Sequence, residues 1–343
     1  MTSRDTSASM GIVTVVIVNY YLEDLVAIAV ASVWEQPCVA EIIIVDNGST
    51  SLRLEMLQQE CPIVSVIESG SNLGFAAAAN VGARAASSEF VFFLNPDATV
   101  EPGCIAQLVD TYRDRPGIVG PAIYSAANKS RDVGATMNHL GMSVSLNGSR
   151  PPLYVSGCAL LTSRDVFVEL GEFDDRYFLF VEDVELCWRA LLAGYEVGAV
   201  SQANVIHEGG AVAQGGYFSS GQRYRTSALR VSLRERNTVA LMISCAPWYW
   251  LPLVLPALLV RSIALLVASL CLGQPALAGA LLKGIFWNVT GLRSSLARRR
   301  SLTRSRIREH EAARRFIYRA VMISMIWRSG VPKVAARGSK HGK

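Results

Sequence analysis

The stretch FVFFLNPDATV, from Phe90 to Val100, decides how the first half of the chain folds. Its run of five large or β-branched apolar residues is typical of a strand that is buried on both faces of a sheet. The run stops abruptly at Asn95, Pro96 and Asp97. Because Pro96 stiffens the turn, we expect the strand to act as a rigid support that presents the Asp97 carboxylate at its tip.

Three further apolar runs precede this strand. Residues 12–20 (IVTVVIVNY), 41–49 (EIIIVDNGS) and 64–69 (VSVIES) are short, continuous and rich in Val and Ile. The apolar spacing of residues 22–36 and 74–88, which separate strands, favours helices that pack on a sheet. The alternation predicts an α/β fold with a doubly wound, mainly parallel sheet flanked by helices.

Polar residues end three of the predicted strands. They are Asn19 in the first, Asp46 with Asn47 in the second, and Asn95 with Asp97 in the last. In open α/β sheets the ligand lies beyond the carboxyl ends of the strands. Each of these residues alone is explained equally well as a turn former. Because three strands deliver polar groups to one edge, we interpret the edge as a ligand site.

Residues 153–210 form a second informative block. An aromatic strip comes first: Phe173, Tyr177, Phe178 and Phe180. Glu182 and Asp183 follow it, and VELCWRALLAGYEV then predicts a helix that ends at Gly194 and leads into another strand. His207 comes at the end of SQANVIH. The alternative is that the acidic pair is an ordinary charged helix start and His207 an ordinary core or surface residue.

Composition and cysteine usage narrow the class of protein. Hydrophobic residues make up 51% of the 343 residues, and seven cysteines are scattered without a CxxC pair. The first ten residues, MTSRDTSASM, are short and polar, so we expect a disordered N-terminus and no secretory signal. Free thiols in a reducing cytosol fit this pattern best, and disulfide or zinc sites do not.

The net charge of +5 hides an asymmetry. Lys283 to Lys343 carry 16 Lys and Arg against 2 Asp and Glu (net +14), which leaves 17 against 26 (net −9) in the first 282 residues. A basic tail suits nucleic acid or an anionic membrane surface. The tail lacks interleaved aromatics and the acidic body would repel a polyanion, so we expect no nucleic-acid partner.

The C-terminal third is strongly apolar. Residues 246–273 have the length of a membrane span, and Trp248 to Trp250 resemble an interfacial aromatic belt, but Arg261 and three prolines argue against a simple span. A weaker apolar stretch, 275–292, and a cationic segment follow. We expect adhesion to an anionic membrane surface. The alternative is a buried helical hairpin with a solvated basic tail.

These boundaries give a domain prediction. A catalytic domain occupies 11–240, with a nucleotide-binding half (11–120) and an acceptor half (121–240). An apolar helical membrane-associating region (241–292) and a basic tail (293–343) follow it.

The residue types at the predicted edge suit a nucleotide-sugar. Its diphosphate is anionic, and a divalent cation held by Asp97, with Asn95 directly or through water, would offset that charge. Imidazole is a good ligand for Mn²⁺-like cations, so His207 is a candidate third ligand. Sugar transfer also needs a base for the acceptor hydroxyl, and burial beside aromatic rings would raise the pKa of a carboxylate in the Glu182–Asp183 pair towards the working range.

The chain resembles the family 2 glycosyltransferases of GT-A fold, and among them the bacterial rhamnosyltransferases that extend polyprenyl-linked glycans. The resemblance covers roughly residues 12–240. It rests on segments in the expected order and spacing: VVIVNYYLEDL, IIIVDNGST, NLGFAAAANVGARAA, FFLNPDATV and SGCALLTSRDVFVELGEFDDRYFLFVEDVELCWRALLAGYEV, followed by His207.

The resemblance implies roles for individual residues. Asp183 corresponds to the catalytic base. On the donor side are Asp46, which would contact the nucleoside, with Asn19, Asn80, Asn95 and Asp97. The NPD at 95–97 stands where the family has its acidic metal motif, with Asn in the first position, and His207 matches a metal ligand of related galactofuranosyltransferases. Gly157 begins the acceptor loop, with Glu182 and Trp188 assigned to the same side, and Arg236–Asn237 match a basic segment near the diphosphate.

The sequence therefore predicts an inverting, metal-assisted (Mg²⁺ or Mn²⁺) glycosyltransferase at the cytoplasmic face of the bacterial plasma membrane. Its donor would be dTDP-rhamnose and its acceptor a lipid-linked or cell-wall glycan. A galactofuranosyl or other hexosyl transferase that uses a UDP-sugar is the alternative donor class. A non-catalytic membrane-anchored binding protein is the alternative of another kind. A nucleotidyltransferase would want a Gly-rich basic loop after the first strand, and VNYYLEDL has none.

Overall fold

One large mixed β-sheet forms the centre of the computed structural model, and helices pack on it. The structure describes residues 11–49, 52–126, 129–208, 217–218, 224–302, 309–316 and 333–334. Residues 1–10, for which the sequence predicts disorder, lie outside the described residues.

The described strands are β1 (Val13–Asn19), β2 (Val39–Asp46), β3 (Val64–Glu68), β4 (Phe90–Leu94), β5 (Ala98–Val100), β6 (Gly117–Ser125), β7 (Ser130–Asp132), β8 (Ala135–Met137), β9 (Ser143–Ser145), β10 (Ala159–Ser163), β11 (Glu196–His207), β12 (Tyr217–Phe218), β13 (Tyr224–Thr226) and β14 (Lys333–Val334). The described α-helices are α1 (Glu23–Trp34), α2 (Leu52–Glu60), α3 (Phe75–Ala85), α4 (Cys104–Asp114), α5 (Arg164–Glu169), α6 (Glu182–Ala193), α7 (Ala228–Cys245), α8 (Leu251–Cys271), α9 (Pro275–Thr290), α10 (Leu292–Leu302) and α11 (Glu309–Arg314).

The main sheet has the order β3-β2-β1-β4-β10-β6-β11-β5, with β7 paired to β6. Strands β1 to β4 are parallel, as are β6 and β11, whereas β10 runs antiparallel to β4 and β6. Every residue of β1 and β4 is buried, as expected for strands covered on both faces. The prediction of a mainly parallel α/β sheet flanked by helices is confirmed.

The reversed strands bring distant residues to the tip of β4. Because β10 is antiparallel to β4, its first residue, Ala159, pairs with the last residue of β4, Leu94. The Asn95 N–H donates to the Cys158 carbonyl at 2.8 Å. Strand β11 is antiparallel to β5, which places His207 opposite Ala98. The turn that carries Asp97 is therefore flanked by both the start of β10 and the end of β11.

Helix α6 carries the acidic pair at its first turn and is anchored in the core. It stops at Gly194, as the sequence predicts, because the φ of 96° there favours glycine. Inside the helix, Arg189 Nε donates to both carboxylate oxygens of Glu185 at 2.8 Å, and both side chains are fully buried. Arg189 also donates to the carbonyls of Leu170 and Glu172. These contacts fix α6 to the segment that precedes it.

Helix α7 runs without a break across residue 240, where the sequence places a domain boundary. The physical reason is burial: Ala240 and Leu241, on either side of that boundary, both belong to the hydrophobic core. The predicted boundary between residues 240 and 241 therefore falls inside one helix, and the division into domains stays a prediction. Helix α7 packs on α6 as well as on α8, α9 and α10, and so joins the two regions.

The described part of the predicted basic tail is folded onto the sheet domain. Helix α10 packs on α7, and α11 packs on α6. The Phe316 ring lies 4.6 Å from that of Trp188, measured between centroids. The Arg315 guanidinium donates to the carbonyls of Pro152 at 2.8 Å and Val197 at 3.0 Å. Residues 309–316 thus complete the domain instead of forming a separate solvated segment.

Helix α8 presents an apolar face to the outside. Within the described residues, Trp248–Cys271 is the one helical segment whose length and composition would allow it to cross a membrane, with a mean hydropathy of 2.3. Its middle is tied to the domain, because Arg261 forms a 2.8 Å ion pair with Glu235 of α7. Exposed apolar side chains of α8 and of its neighbour α9 make up what we call the α8–α9 apolar surface: Leu253, Val260, Val267, Leu282, Phe286 and Val289.

Candidate active site

A cavity of about 540 Å³ lies at the carboxyl end of the sheet. Residues that follow β1, β2 and β4 line it, namely Tyr20, Asn47 and Asn95 to Asp97, and His207 at the end of β11 lines it too. The strand-end residues of the sequence thus meet at one edge, as parallel strands require.

Asp97 and His207 form a pair in this cavity. His207 Nε2 lies 3.1 Å from Asp97 Oδ1, and the Asp97 side chain is almost fully buried. The two residues are 110 positions apart and meet because β11 ends beside the β4–β5 turn. Asn95 lines the same part of the cavity. These oxygen and imidazole groups are ligands that divalent cations accept.

Glu182 and Asp183 lie in the same cavity, at the first turn of α6. Burial raises the pKa of Asp183, while the N–H groups of Gly157 (2.9 Å) and Val184 (2.8 Å) and the charge of Arg234 oppose the rise. Burial and the Asp183 charge raise the pKa of Glu182 well above its usual range. Glu182 Oε2 has no hydrogen-bond partner among the described residues. The pair thus combines a hydrogen-bonded carboxylate with a neighbour for which the neutral form is favoured.

Gly157 and Cys158 connect the two groups of acidic residues. The Gly157 N–H holds the Asp183 carboxylate, and the Cys158 carbonyl accepts from the Asn95 N–H next to Asp97. Burial raises the pKa of the Cys158 thiol, and the charges of both Asp97 and Asp183 add to the rise. The thiol therefore lies near both carboxylates. All seven cysteines are free in the structure.

Asn19 and Asp46 lie behind the cavity wall. The Asn19 amide donates to Asp46 Oδ1 at 3.1 Å and to the Ser49 hydroxyl at 3.1 Å, and both side chains are buried. Their hydrogen bonds join the ends of β1 and β2. The neighbouring Asn47 reaches the cavity, where its amide donates to Asn72 Oδ1 at 3.1 Å. Asn47 belongs to the same predicted strand end as Asp46, so the sequence pattern that singled out Asp46 could also have identified Asn47 as a cavity residue.

Asn80 and Trp188 lie away from this cavity. The Asn80 amide donates to the Phe173 carbonyl at 2.9 Å and to Asp175 at 2.7 Å, so the side chain joins α3 to the segment before α6. Trp188 is fully buried against Phe316. In this conformation neither side chain reaches a ligand in the cavity. The structure therefore does not bring Asn80 and Trp188 together with the other predicted site residues, and their assignments to the donor and the acceptor stay predictions.

Two arginines of α7 enter the cavity. Arg230 and Arg234, spaced one helical turn apart, line it, and the Arg230 guanidinium lies 4.8 Å from the centre of the Phe180 ring. The pair for which the resemblance implied a diphosphate contact, Arg236 and Asn237, bonds instead to backbone carbonyls of residues 176–180. Neither side chain lines the cavity, and the sequence motif alone did not reveal this.

The described residues contain no group of three or more His, Cys, Asp and Glu side chains gathered for a metal ion. The Asp97–His207 pair nevertheless fits a cation, because it supplies one carboxylate and one imidazole in a cavity with space for further ligands. A diphosphate and water would have to complete the coordination shell. The pair is a half-site rather than a closed structural metal site.

Comparison with known proteins agrees with this geometry. Residues 14–171 match the family model described as Glycosyl transferase family 2. An N-acetylglucosaminyl-diphospho-decaprenol L-rhamnosyltransferase of Mycobacterium tuberculosis is 30% identical over 201 residues, covering 48% of this chain and 66% of that protein. The low-salt glycan biosynthesis hexosyltransferase Agl10 of Haloferax volcanii is 27% identical over 210 residues, covering 57% and 66% respectively. The chain thus spans just under two thirds of the length of each relative.

The fold has solved counterparts. The mannosyltransferase PcManGT from Pyrobaculum calidifontis, in complex with GDP-Man and Mn²⁺, is similar with a TM-score of 0.50 over 88% of this chain and 87% of that chain, at 17% identity. At this identity the similarity concerns the fold alone. Asp183 and His207 lie beyond the segment that matches the family model. We conclude that residues 14–171 are a glycosyltransferase family 2 domain, and that the chain has the GT-A fold.

Proposed function

We propose that the protein is an inverting, metal-assisted glycosyltransferase that moves L-rhamnose from dTDP-rhamnose to a lipid-linked or cell-wall glycan. The observation that supports it best is the single cavity lined by both Asp97 and Asp183, with Arg230 and Arg234 in its wall. A donor needs positive charge at its diphosphate, and an acceptor needs a base on the opposite side of the reacting carbon. One cavity offers both.

Asp183 is the base in this proposal. It accepts the proton of an acceptor hydroxyl while that oxygen attacks the anomeric carbon from the face opposite the nucleoside diphosphate, so the configuration inverts. The N–H groups of Gly157 and Val184 orient the carboxylate. Its raised pKa makes it a stronger base than an exposed aspartate, and the leaving group takes up the electron pair of the broken C–O bond.

Asp97 and His207, with Asn95 beside them, would hold Mg²⁺ or Mn²⁺, and the cation would supply positive charge to the diphosphate of the donor. Arg230 and Arg234 of α7, which line the same cavity, supply further positive charge. Asn47 and Asn72 lie at the end of the cavity formed by the first strands, where the nucleoside of a nucleotide-sugar would bind.

The donor sugar is proposed from the relative. The Mycobacterium tuberculosis protein is named as an L-rhamnosyltransferase, and we extend that donor to this chain. A UDP-hexose or UDP-galactofuranose remains the second candidate. The purified protein is incubated with a polyprenyl-linked acceptor and, in separate reactions, with dTDP-rhamnose, UDP-galactofuranose or UDP-glucose. Measurement of the released nucleotide separates the candidate donors. Nucleotide release from dTDP-rhamnose alone supports the proposed donor. Nucleotide release from a UDP-sugar alone contradicts dTDP-rhamnose as the donor and supports the second candidate.

We also propose that the protein works at the cytoplasmic face of the bacterial plasma membrane, through the α8–α9 apolar surface. Val260 of α8 is 66% and Phe286 of α9 is 69% exposed, and the two helices pack against each other. Large exposed apolar patches are typical of protein or membrane contact sites. Lys283, Arg293 and Arg300 are exposed on α9 and α10. Because Arg261 is paired with Glu235 of the catalytic domain, α8 lies along the membrane surface in this proposal and does not cross it.

Replacement of Asp183 tests the base. We expect Asp183→Asn to lower kcat by about 10²–10⁴-fold while the fold and donor binding persist, because the amide cannot accept the proton. The measurement is single-turnover sugar transfer, with circular dichroism as the check on folding. Asp132→Asn, which removes a carboxylate from the same cavity where Asp132 accepts from Ser145, is the matched control. Wild-type turnover of Asp183→Asn would exclude this residue as the base.

The pH profile tests the influence of Arg234 on the base. Burial raises the pKa of Asp183 and the Arg234 charge lowers it, so Arg234→Gln leaves the pKa higher still. The base is active only when deprotonated, so activity falls as pH decreases through this pKa, and we expect the acid limb of kcat/KM to move to higher pH. Arg230→Gln removes the same charge from the cavity and should leave that limb nearer its wild-type position. An unmoved limb in Arg234→Gln contradicts the assignment.

Metal titration tests the half-site. We expect Asp97→Asn and His207→Gln each to raise the Mn²⁺ concentration for half-maximal activity by at least about tenfold, because each variant weakens one of two protein ligands. Activity after chelation by EDTA and stepwise return of Mn²⁺ or Mg²⁺ gives the measurement. Full activity of the wild-type protein in EDTA would remove the metal from the proposal while leaving the base untouched.

Vesicle flotation tests the membrane surface. The wild-type protein should float with vesicles of phosphatidylglycerol and phosphatidylcholine. The double variant Val260→Glu, Phe286→Glu should remain in solution. Burial of each large apolar side chain in the bilayer contributes about 1.5–3 kcal/mol to the free energy of membrane binding, and the variant lacks both contributions. Val168→Glu introduces the same charge at an exposed apolar position of α5 and serves as the control. Flotation of the double variant at wild-type level would reject this surface.

A further inference from the structure

The loop from Tyr177 to Val181, which leads into α6, has an unfavourable backbone conformation. Phe178, Phe180 and Val181 have φ angles of 63°, 69° and 74°. Left-handed backbone is uncommon for residues other than glycine and is especially unfavourable for a β-branched residue such as Val181. Three such residues within four positions persist only when surrounding contacts impose them.

The same loop forms a wall of the cavity. Residues 178–181 line it, and the next two residues are Glu182 and Asp183. The loop also contacts the start of α3, where the Ala76 N–H donates to the Phe178 carbonyl at 3.3 Å. Gly74 leaves space for the Phe178 ring, since a Cβ at Gly74 would lie 2.4 Å from it. The loop conformation therefore sets both the position of Asp183 and the shape of the wall.

Asn237 of α7 holds this loop from behind. Its amide nitrogen donates to the carbonyls of Tyr177 (2.9 Å), Leu179 (3.0 Å) and Phe180 (2.6 Å) and is fully buried. The Arg236 Nε–H donates to Asn237 Oδ1 at 2.8 Å, which fixes the orientation of the amide. Because the Asn237 amide nitrogen carries only two hydrogens, the three carbonyl oxygens share them. These hydrogen bonds form only while the loop lies close to α7.

We propose that Asn237 is a positioning residue for sugar transfer: its amide holds the Tyr177–Val181 loop in the left-handed conformation that places Asp183 in the cavity. This proposal rests on the proposed function of Asp183 as the base. It assigns Asn237 no contact with donor or acceptor. Its effect is therefore expected in the rate of the chemical step and not in donor binding.

Asn237→Asp keeps the shape of the side chain and the acceptor for Arg236 but removes the two donors. We expect kcat to fall by about 10²-fold, because misplacement of a reacting group by about 1 Å has an effect of this size, with the KM for the donor changed by less than about threefold. Asn288→Ala is the control, since Asn288 donates to the Arg236 carbonyl at 3.1 Å and contacts α7 without touching the loop. It should keep kcat within about twofold.

A second substitution separates positioning from general destabilisation. Val181→Gly removes the backbone penalty at the β-branched position of the loop, because glycine adopts positive φ readily. Added to Asn237→Asp, it should recover part of the lost kcat. If Asn237 merely supports the fold, the loss of a further core side chain should lower activity again, and that result would overturn the proposal. Asn237→Ser, which retains one donor, should give an intermediate kcat and covers the case in which Asn237→Asp does not fold.

Hydrogen–deuterium exchange tests the loop without using activity. The amides of residues 177–183 should exchange faster in Asn237→Asp than in the wild type or in Asn288→Ala, at equal thermal stability. Unchanged exchange and unchanged kcat in a folded Asn237→Asp or Asn237→Ser protein would reject the proposal. A wild-type protein that transfers no sugar from any donor rejects the proposed function, and faster loop exchange in Asn237→Asp would then still show that Asn237 holds the loop.

Discussion

The hydrogen bond from the Gly157 N–H to the Asp183 carboxylate is the contact on which the site depends. Gly157 precedes β10, the strand that runs opposite to β4, and this reversal brings it beside the Asn95–Asp97 turn. Asp183 lies in the first turn of α6, 26 residues after Gly157, and this contact places it in the cavity that Asp97 also lines. The antiparallel strand β10 thus joins the half of the chain that supplies the strand tips to the half that supplies the acidic pair. A fully parallel sheet would place the start of β10 at the opposite edge.

The cavity is lined by more acidic than basic side chains. Asp97, Asp132, Glu182 and Asp183 all line it, and a donor diphosphate would add further negative charge. Arg230 and Arg234 offset part of this charge, and the raised pKa of Glu182 favours its neutral form. A cation at Asp97 and His207 would offset more, at the side of the cavity where the strand tips meet. In the proposed mechanism the two arginines act on the diphosphate, and Asp183 stays available as a base because the Arg234 charge offsets only part of the rise in its pKa.

Much of the fold was predictable from the sequence because its signals are local. The buried run before Asn95, the strands before Asn19 and Asp46, and the helix that stops at Gly194 all follow from apolar periodicity and turn chemistry. The roles of Asn80, Trp188 and the tail depend on contacts between distant segments. The Asn80 amide satisfies a carbonyl 93 residues away, and the Arg315 guanidinium satisfies carbonyls 118 and 163 residues away. No local pattern distinguishes such a buried polar side chain from one that binds a ligand. The same holds for α7, where Arg234 faces the cavity and Arg236 faces the loop two residues later.

Helix α7 contacts the cavity, the apolar helices α8 and α9, and the loop before α6. Arg234 faces the cavity, Glu235 pairs with Arg261 of α8, and Asn237 bonds to the loop before α6. On its outer side, Trp287 of α9 lies 4.3 Å from the Arg236 guanidinium. Four consecutive positions of one helix therefore contact the cavity, the apolar hairpin and the loop before the acidic pair. A helix moves as a rigid body over such a short distance. A movement of α8 and α9 that displaces α7 through these contacts would therefore also displace Arg234 and Asn237, which shape the cavity and its loop. This shared helix is the physical reason why the apolar helices and the sheet domain belong to one functional structure.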